Sequence, residues 1–248
     1  GAQVPFTSIN FGTDTTPAGR LVSLNLLEAT NNGLGKGETP IFPISILKVK
    51  SGVNYNPGDP NYYIFKRSME VSAKRLFPNF SFIDAPFNLQ YYKEGDYNTE
   101  VAYMGCRTRV LGNVCGEEIV SGRGNLSFTT INLPRLGIKY GIINKNKADL
   151  DGFFEELDEK IDLVIEQLLE RMELQGNKKV KNFPFLMGQG VWLGSEKLGF
   201  NDTLQDVIRQ GTLTVGFIGL AECLKALTGK HHGESDEAQE LGLEIIGV

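Results

Sequence analysis

The sequence predicts an α/β fold with a parallel component, and three observations lead to that class. Strand-like and helix-like segments alternate along the chain, the order that is typical of strand–helix–strand units. One strand-like segment, Ile41–Val49, is apolar enough to be buried on both faces, as strands of parallel sheets are. The segment from about Lys147 to Leu174 carries apolar residues at helical spacing with acidic residues between them, which indicates a long amphipathic helix.

The first third of the chain predicts two successive strand–helix–strand units. Thr and Pro residues in the turn after the first strand give the N-cap and first-turn signal of a helix, and Pro78 ends the second helix. The predicted elements are the strand Gln3–Asn10, the helix Pro17–Ala29, the strand Ile41–Val49, the helix Asn61–Leu76 and the strand Phe80–Ile83.

The central stretch presents a single thiol in a glycine-flanked setting. An apolar run that ends at Met104 leads to Gly105, Cys106 and two arginines, after which the chain passes through several glycines. It becomes strand-like again over Leu126–Asn132, which is rich in β-branched and aromatic residues. This arrangement is expected of a reactive cysteine at the tip of a loop.

The second half predicts mainly helices. After the long helix come a brief helix that ends near Arg209, the strand Thr212–Val215, a helix over Gly216–Leu227 and a final helix after residue 235. We expect one stripe of the long helix to pack against the sheet or a partner subunit, while its acidic residues face water. That stripe is Leu157, Ile161, Val164 and Leu168.

Composition excludes several classes of function. The 248 residues suffice for one large or two small domains, and a net charge of −5 gives no basic surface for a polynucleotide. The three cysteines contain no CxxC pair and are too few for a disulfide framework, which favours a reducing, cytoplasmic compartment. There is neither a signal sequence nor an apolar run near the roughly 20 residues that a membrane helix needs, so no membrane partner is expected.

The sequence around the thiol closely resembles the catalytic core of the anaerobic, class III ribonucleoside-triphosphate reductases. The resemblance is carried by Met-Gly-Cys-Arg-Thr-Arg-Val at residues 104–110 and by the segment from Gly122 to Leu136. It extends over essentially the whole chain, through Gly1–Asn10, Thr39–Pro43, Gly52–Tyr62, Phe80–Asn88 and Gly216–Glu222.

The resemblance implies a barrel of ten strands in two antiparallel halves of five, around a central finger loop that carries Cys106. The chain is too short for all of it. We therefore expect residues 1–248 to be a single catalytic-core segment of a longer chain. The N-terminal nucleotide-binding regulatory domain and the C-terminal region with zinc-binding cysteines and the radical glycine would lie outside it, so the segment alone should not turn over.

In enzymes of this kind, the cysteine that matches Cys106 becomes a thiyl radical and abstracts the 3′-hydrogen of a ribonucleoside triphosphate. A glycyl radical on the C-terminal loop generates it, and a radical-SAM activating enzyme installs the glycyl radical. Formate is the reductant in the commonest form of the family, although the sequence leaves a thioredoxin-type protein open. A homodimer is expected, and zinc belongs only to the full-length enzyme.

Further site residues follow from the same resemblance. Asn125 matches the asparagine that contacts the ribose hydroxyls or the reductant; alternatively it only holds a turn. Ser8, Asn10 and Met104 are expected to face the substrate. Gly216-Phe217-Ile218-Gly219, between a strand and a helix, predicts a triphosphate site at the helix N-terminus, with close strand–helix packing as the alternative. A Gly219→Val substitution is then expected to weaken nucleotide binding without unfolding the protein.

The other candidate residues have simpler interpretations. Cys115 and Cys223 are expected to be structural, and the adjacent His231 and His232 belong to a solvated loop and not to a metal site. Two rival functions stay open: a glycyl-radical lyase or acyltransferase with the same barrel, and a catalytically silent nucleotide-binding remnant. Nucleotide binding would distinguish the reductase from the lyase or acyltransferase. A radical glycine in the complete gene would distinguish it from the silent remnant.

Overall fold

The computed structural model describes residues 7–105, 108–143 and 146–248. The chain divides into two compact units, Gly1–Gly124 and Asn125–Val248, and each has its own sheet and its own apolar core.

The first unit is built on a parallel sheet. Its strands are β1 (Ser8–Phe11), β2 (Ile44–Val49), β3 (Asn79–Phe82), β4 (Tyr103–Met104) and β5 (Thr108–Arg109). Its α-helices are α1 (Pro17–Asn32), α2 (Tyr62–Arg75) and the single turn α3 (Pro86–Leu89). Strands β1, β2 and β3 are parallel neighbours in that order, with α1 and α2 as the crossovers. The two predicted strand–helix–strand units are therefore confirmed, and residues 3–6 of the predicted first strand lie outside the described residues.

The two faces of this sheet differ in chemistry because strand side chains alternate. One face carries residues such as Leu47 and Val49 and packs against α1 and α2 around the fully buried Leu27 and Ile64. The other face carries Ser8, Asn10, Ile46, Lys48 and Ser81. Right-handed crossovers place both helices on the same side, so this second, largely polar face is left for the rest of the unit.

The second unit contains a pair of parallel strands and most of the helices. Its elements are β6 (Asn125–Asn132), α4 (Leu133–Tyr140), α5 (Leu150–Gly176), α6 (Gln205–Ile208), β7 (Thr212–Ile218), α7 (Leu220–Thr228) and α8 (Asp236–Ile246). β6 and β7 pair in parallel from Asn125↔Thr212 to Asn132↔Ile218. Each strand leads directly into a helix, β6 into α4 and β7 into α7, so the two helices start side by side.

Helix α5 confirms the predicted apolar stripe. Leu157, Val164 and Leu168 are buried, and Ile161 packs partly buried against the same core. Full burial of a large apolar side chain contributes about 1.5–3 kcal/mol. A second cluster, around Trp192 and Val207, gives the loop-rich segment between α5 and β7 an apolar core of its own, which the sequence pattern did not indicate.

The boundary between β7 and α7 differs from the prediction. We expected the helix to begin at Gly216, but β7 continues through Ile218 and α7 begins at Leu220. The β-branched and aromatic side chains of Val215, Phe217 and Ile218 favour an extended chain, and β6 provides the pairing partner. A turn at Gly219, with φ +76°, separates the two elements.

The predicted α/β class is confirmed, but the described residues contain no closed barrel. Within the part of the chain that the structure describes, the strands form sheets of three, two and two strands, and none of these sheets closes on itself.

Candidate functional site

The predicted thiyl residue, Cys106, lies outside the described residues. The described residues on either side of it form a short antiparallel pair, in which Tyr103 faces Arg109 and Met104 faces Thr108. Gly105 has φ +60°, a left-handed conformation that favours glycine. The hairpin of β4 and β5 therefore defines where the chain enters and leaves the segment that contains Cys106.

Two side chains from β1 hold this hairpin. The side chain of Asn10 imitates a neighbouring strand: its Nδ2 donates to the carbonyl oxygen of Tyr103 at 2.8 Å, and its Oδ1 accepts from the Tyr103 N–H at 3.0 Å. The Oγ of Ser8 accepts from the N–H of Gly105 at 2.7 Å. The described contacts make Ser8 and Asn10 anchors of the residues that precede Cys106. That they also face the substrate stays a prediction.

A buried ion pair lies on the same face of the sheet. Lys48 Nζ lies 2.6 Å from one carboxylate oxygen of Glu100, and Lys50 Nζ lies 3.7 Å from the other. Glu100 is only 8% exposed, so the ion pair is buried. Burial opposes the charged form of Lys50, but the hydrogen bond with Tyr92 and nearby carboxylates outweigh burial and raise the pKa of Lys50. The pair ties β2 to the chain just before β4.

Asn125 begins β6 in the second unit. Its Nδ2 donates to the Oγ1 of Thr214 at 2.7 Å, which is a strand-to-strand contact. Its Oδ1 is buried and has no hydrogen-bond partner among the described residues, and the same holds for Oγ1 of Thr212, which faces Asn125 in the register. Buried polar atoms are nearly always paired, so this acceptor is an unusual feature that a ligand donor would satisfy.

The predicted phosphate segment is divided between a strand and a turn. Gly216, Phe217 and Ile218 belong to β7, and only Gly219 caps α7. The first N–H groups of α4 and α7 lie close together because Asn132 and Ile218, the residues that end β6 and β7, are register partners. Arg135 lies in the first turn of α4 and lines a pocket of about 320 Å³ with Lys160.

The expectation that Gly219→Val leaves the fold intact is wrong. A Cβ atom at Gly219 would lie 2.3 Å from Cγ of Pro134, and the positive φ disfavours a β-branched residue. Close strand–helix packing, the alternative considered for this glycine, is thus present. Any test of phosphate binding must use another residue.

The burial of Cys223 agrees with its structural interpretation, whereas the interpretation of Cys115 stays a prediction. Cys223 is fully buried in the core of the second unit, and burial raises its thiol pKa to about 11. Cys115 is exposed. His231 and His232 lie in the loop before α8, and no group of three possible metal-ligating side chains occurs within the described ranges. In those same ranges, no helix is both long and apolar enough to cross a membrane.

Several residues that shape this site were missed from the sequence. Glu100, Asn88 and Arg109 lie in segments without apolar periodicity, and the sequence there did not indicate which residues they would contact. Lys48 and Lys50 did give a signal, since charged residues in and just after an otherwise buried strand need a partner.

Comparisons with known proteins all identify the same family. A family model described as anaerobic ribonucleoside-triphosphate reductase matches residues 1–248. Curated relatives of that name include one from Haemophilus influenzae, 32% identical over 98% of this chain and 33% of its own length, and one from Escherichia coli, 30% identical over the same shares. A third, from Enterobacteria phage T4, is 33% identical over 93% of this chain and 37% of its own length. The chain thus spans about a third of the length of these relatives.

Proposed function

The chain belongs to the anaerobic ribonucleoside-triphosphate reductase family, and from that premise we propose that it forms part of the catalytic core of such an enzyme. The complete enzyme converts ribonucleoside triphosphates to deoxyribonucleoside triphosphates by radical chemistry. In the complete protein, strands of this chain are then part of a ten-stranded barrel, and Cys106 belongs to its finger loop.

Cys106 carries the hydrogen transfer in this proposal. Its thiyl form takes the hydrogen atom from C3′ of the ribose, the hydroxyl at C2′ leaves as water after protonation, and the thiol later returns a hydrogen atom to C3′. Formate supplies the two electrons, so that a ribonucleotide, formate and one proton give a deoxyribonucleotide, carbon dioxide and water. A thiol suits this role because its S–H bond is comparable in strength to the ribose C–H bond.

The observation that best supports this function is the anchoring of the hairpin. Asn10 binds both backbone polar groups of Tyr103, and Ser8 binds the N–H of Gly105, immediately before Cys106. Hydrogen transfer needs donor and acceptor heavy atoms within roughly 3–3.5 Å, and small misplacements cost much of the rate. A segment that must place one sulfur atom so closely benefits from being fixed at adjacent backbone groups.

The second unit supplies groups suited to the nucleotide. We assign the triphosphate to the neighbouring N-termini of α4 and α7, where the helix dipoles favour an anion. The Asn132 side chain caps α4 by accepting from the Arg135 N–H, so the backbone donors would come from the first turn of α7. Arg135 adds a positive charge beside them. The buried, unpaired Oδ1 of Asn125 is available to a ribose hydroxyl, which is the role that the family resemblance implies for this residue.

The proposed cofactors belong to other parts of the complete protein. A glycyl radical on a C-terminal loop supplies the unpaired electron, and a radical-SAM enzyme is the activating partner. The described ranges contain no group of three possible metal-ligating side chains, and we assign zinc no role in this chain. We further propose a homodimer that works in the cytoplasm.

The test is a Cys106→Ser substitution in the complete, radical-activated enzyme. Deoxyribonucleotide formation should be abolished while substrate affinity is nearly unchanged, because an alkoxyl radical is too costly to form by this route. The matched controls are Cys115→Ser and Cys223→Ala, which should keep much of the turnover. Full activity in Cys106→Ser would end the radical proposal.

A further inference from the structure

A pocket of about 510 Å³ lies within the first unit, between β3, α3 and the hairpin. Its volume is in the range of small-molecule sites. Aromatic rings dominate its walls, and its polar end is formed by one arginine, one tyrosine and asparagines. The lining residues are Ile46, Asn79, Phe80, Phe82, Phe87, Asn88, Tyr103 and Arg109.

Neutral groups hold Arg109 at the end of this pocket. Its Nη1 donates to Oδ1 of Asn88 and, at 3.4 Å, to the hydroxyl of Tyr103, while the guanidinium carbon lies 4.7 Å from the centre of the Phe87 ring. The Nδ2 of Asn88 donates to the carbonyl oxygen of Phe82 at 2.7 Å, which fixes the amide so that its oxygen faces Arg109. The guanidinium is therefore positioned but not neutralised.

The charge of Arg109 has no counterion among the described residues. By contrast, Arg67 on α2 binds the carboxylates of Glu28 and Glu70 at 2.7 and 2.8 Å. The hydrogen bonds of Arg109 to described residues all use Nη1, which leaves Nε and Nη2 as donors. Two parallel N–H donors of a guanidinium fit the two oxygens of a carboxylate, and apolar walls strengthen such a contact by excluding water.

The pocket is close to the proposed reacting segment. Arg109 and Tyr103 face each other in the hairpin, and Gly105 follows Tyr103 by two residues. At about 3.3 Å per strand residue, the polar end of the pocket is on the order of 7 Å along the chain from Gly105. A small anion bound at Arg109 would therefore lie beside the segment that contains Cys106.

We propose that this pocket is a binding site for a small monocarboxylate, held by the guanidinium of Arg109. The proposal rests on the proposed function in one respect: in the complete reductase, the carboxylate bound here is the formate that serves as reductant. The remaining volume leaves room for a second group next to the carboxylate.

Binding is tested first on the complete protein before radical activation. Saturation-transfer NMR of sodium formate should show binding to the unsubstituted protein, and Arg109→Gln should weaken it about tenfold or more, since a charge-assisted pair is lost. Arg109→Lys should recover part of the affinity, because the charge remains but the two-donor geometry does not. The matched control, Arg67→Gln, removes an arginine whose charge is already neutralised and should leave formate binding unchanged.

Turnover of the activated enzyme then tests the role of the bound carboxylate. Arg109→Gln should raise the KM for formate about tenfold or more while leaving the KM for the ribonucleotide nearly unchanged. Sodium acetate, which has no hydrogen on its carboxyl carbon to donate, should compete with formate in the unsubstituted enzyme and lose that effect in Arg109→Gln.

The outcomes separate this site from the proposed function. If formate binds through Arg109 but turnover does not depend on formate, the site stands and the assignment of the reductant fails. If turnover depends on formate while its binding and KM are the same in Arg109→Gln and Arg109→Lys as in the unsubstituted enzyme, the site is refuted. A general loss of structure would appear as an equal rise in the KM for the ribonucleotide, which also counts against the site.

Discussion

The two units of this chain use the same local architecture in different ways. Both pair parallel strands and connect them through helices, but the first unit keeps a polar sheet face with a buried ion pair, whereas the second fills its interior with apolar side chains. Burial of polar groups stabilises a fold less than apolar packing does. The difference indicates that the first unit gives up stability to fix the hairpin, and that the second unit is organised around a stable core.

The ion pairs of the two units show the same contrast. Lys48 and Glu100 are 14% and 8% exposed, and the carboxylate has lost most of its water. In the second unit, Glu156 is 16% exposed but its partner Lys139 is 57% exposed, and the hydrogen bond from Lys139 lowers the pKa of that carboxyl. A pair whose lysine lies in water contributes less to stability, so the pair in the first unit is expected to respond more strongly to substitution.

The largest effect should come from breaking the apolar core of the second unit. Leu157→Asp places an unpaired carboxylate in the buried cluster that contains Ile131 and Leu133, and we expect it to unfold this unit, at a cost of more than about 4 kcal/mol. The control is Leu163→Asp, because Leu163 lies on the same helix but is 58% exposed. Circular dichroism during urea unfolding would measure both, and equal stabilities would contradict the assignment of the core face.

The buried ion pair should give the next largest effect. Lys48→Met leaves Glu100 buried with only the more distant Lys50, and loss of one partner of a buried pair costs about 3–5 kcal/mol. Lys160→Met also removes one lysine from an ion pair, but its partner distance is 3.8 Å and the lysine is exposed, so a change below about 1 kcal/mol is expected. If the two variants have similar free energies of unfolding, the contrast between the units does not hold.

The anchoring of the hairpin should affect activity more than stability. Asn10→Ala removes both hydrogen bonds to Tyr103 and should cost about 1–3 kcal/mol locally. In the complete enzyme we expect a lower kcat with a nearly unchanged KM, because the described hydrogen bonds of Asn10 position the hairpin. Faster hydrogen exchange at the Tyr103 amide would accompany it.

Two variants calibrate this effect. Asn25→Ala removes a comparable amide from the exposed side of α1 and should change neither the kcat nor the exchange rate at Tyr103. Asn10→Asp keeps the acceptor for the Tyr103 N–H and should be intermediate. A rise in KM without a fall in kcat for Asn10→Ala would instead support the original prediction that Asn10 contacts the substrate.

Patterns of apolar spacing were sufficient to predict most of the elements. The stripe on α5 was predicted correctly, because apolar residues at helical spacing lie on one face of the helix and that face is buried in the core. The start of α7 was placed wrongly, because Gly216 looks like a break in the sequence, whereas pairing with β6 keeps it extended. The partners of Ser8, Asn10 and Glu100 lie 50 to 97 residues away, and no local pattern encodes such distant contacts.

The smallest effect concerns the thiol of Cys223, and it tests whether water is excluded from the core of the second unit. Burial raises the pKa of this thiol to about 11 from its ordinary value of 9.0, so the folded state favours the neutral form. The stability that this contributes is fully present below pH 9.0 and is lost as the pH rises through about 11. The unsubstituted protein should therefore lose more stability than Cys223→Ala over that interval, as measured by thermal unfolding at each pH.

Peptide mapping after iodoacetamide treatment at pH 8 should find Cys115 modified and Cys223 unmodified, since Cys115 is the exposed one of these two thiols. Rapid modification of Cys223 in the folded protein would mean that water reaches the interface of α4 and α7, where Gly137 lies directly against it.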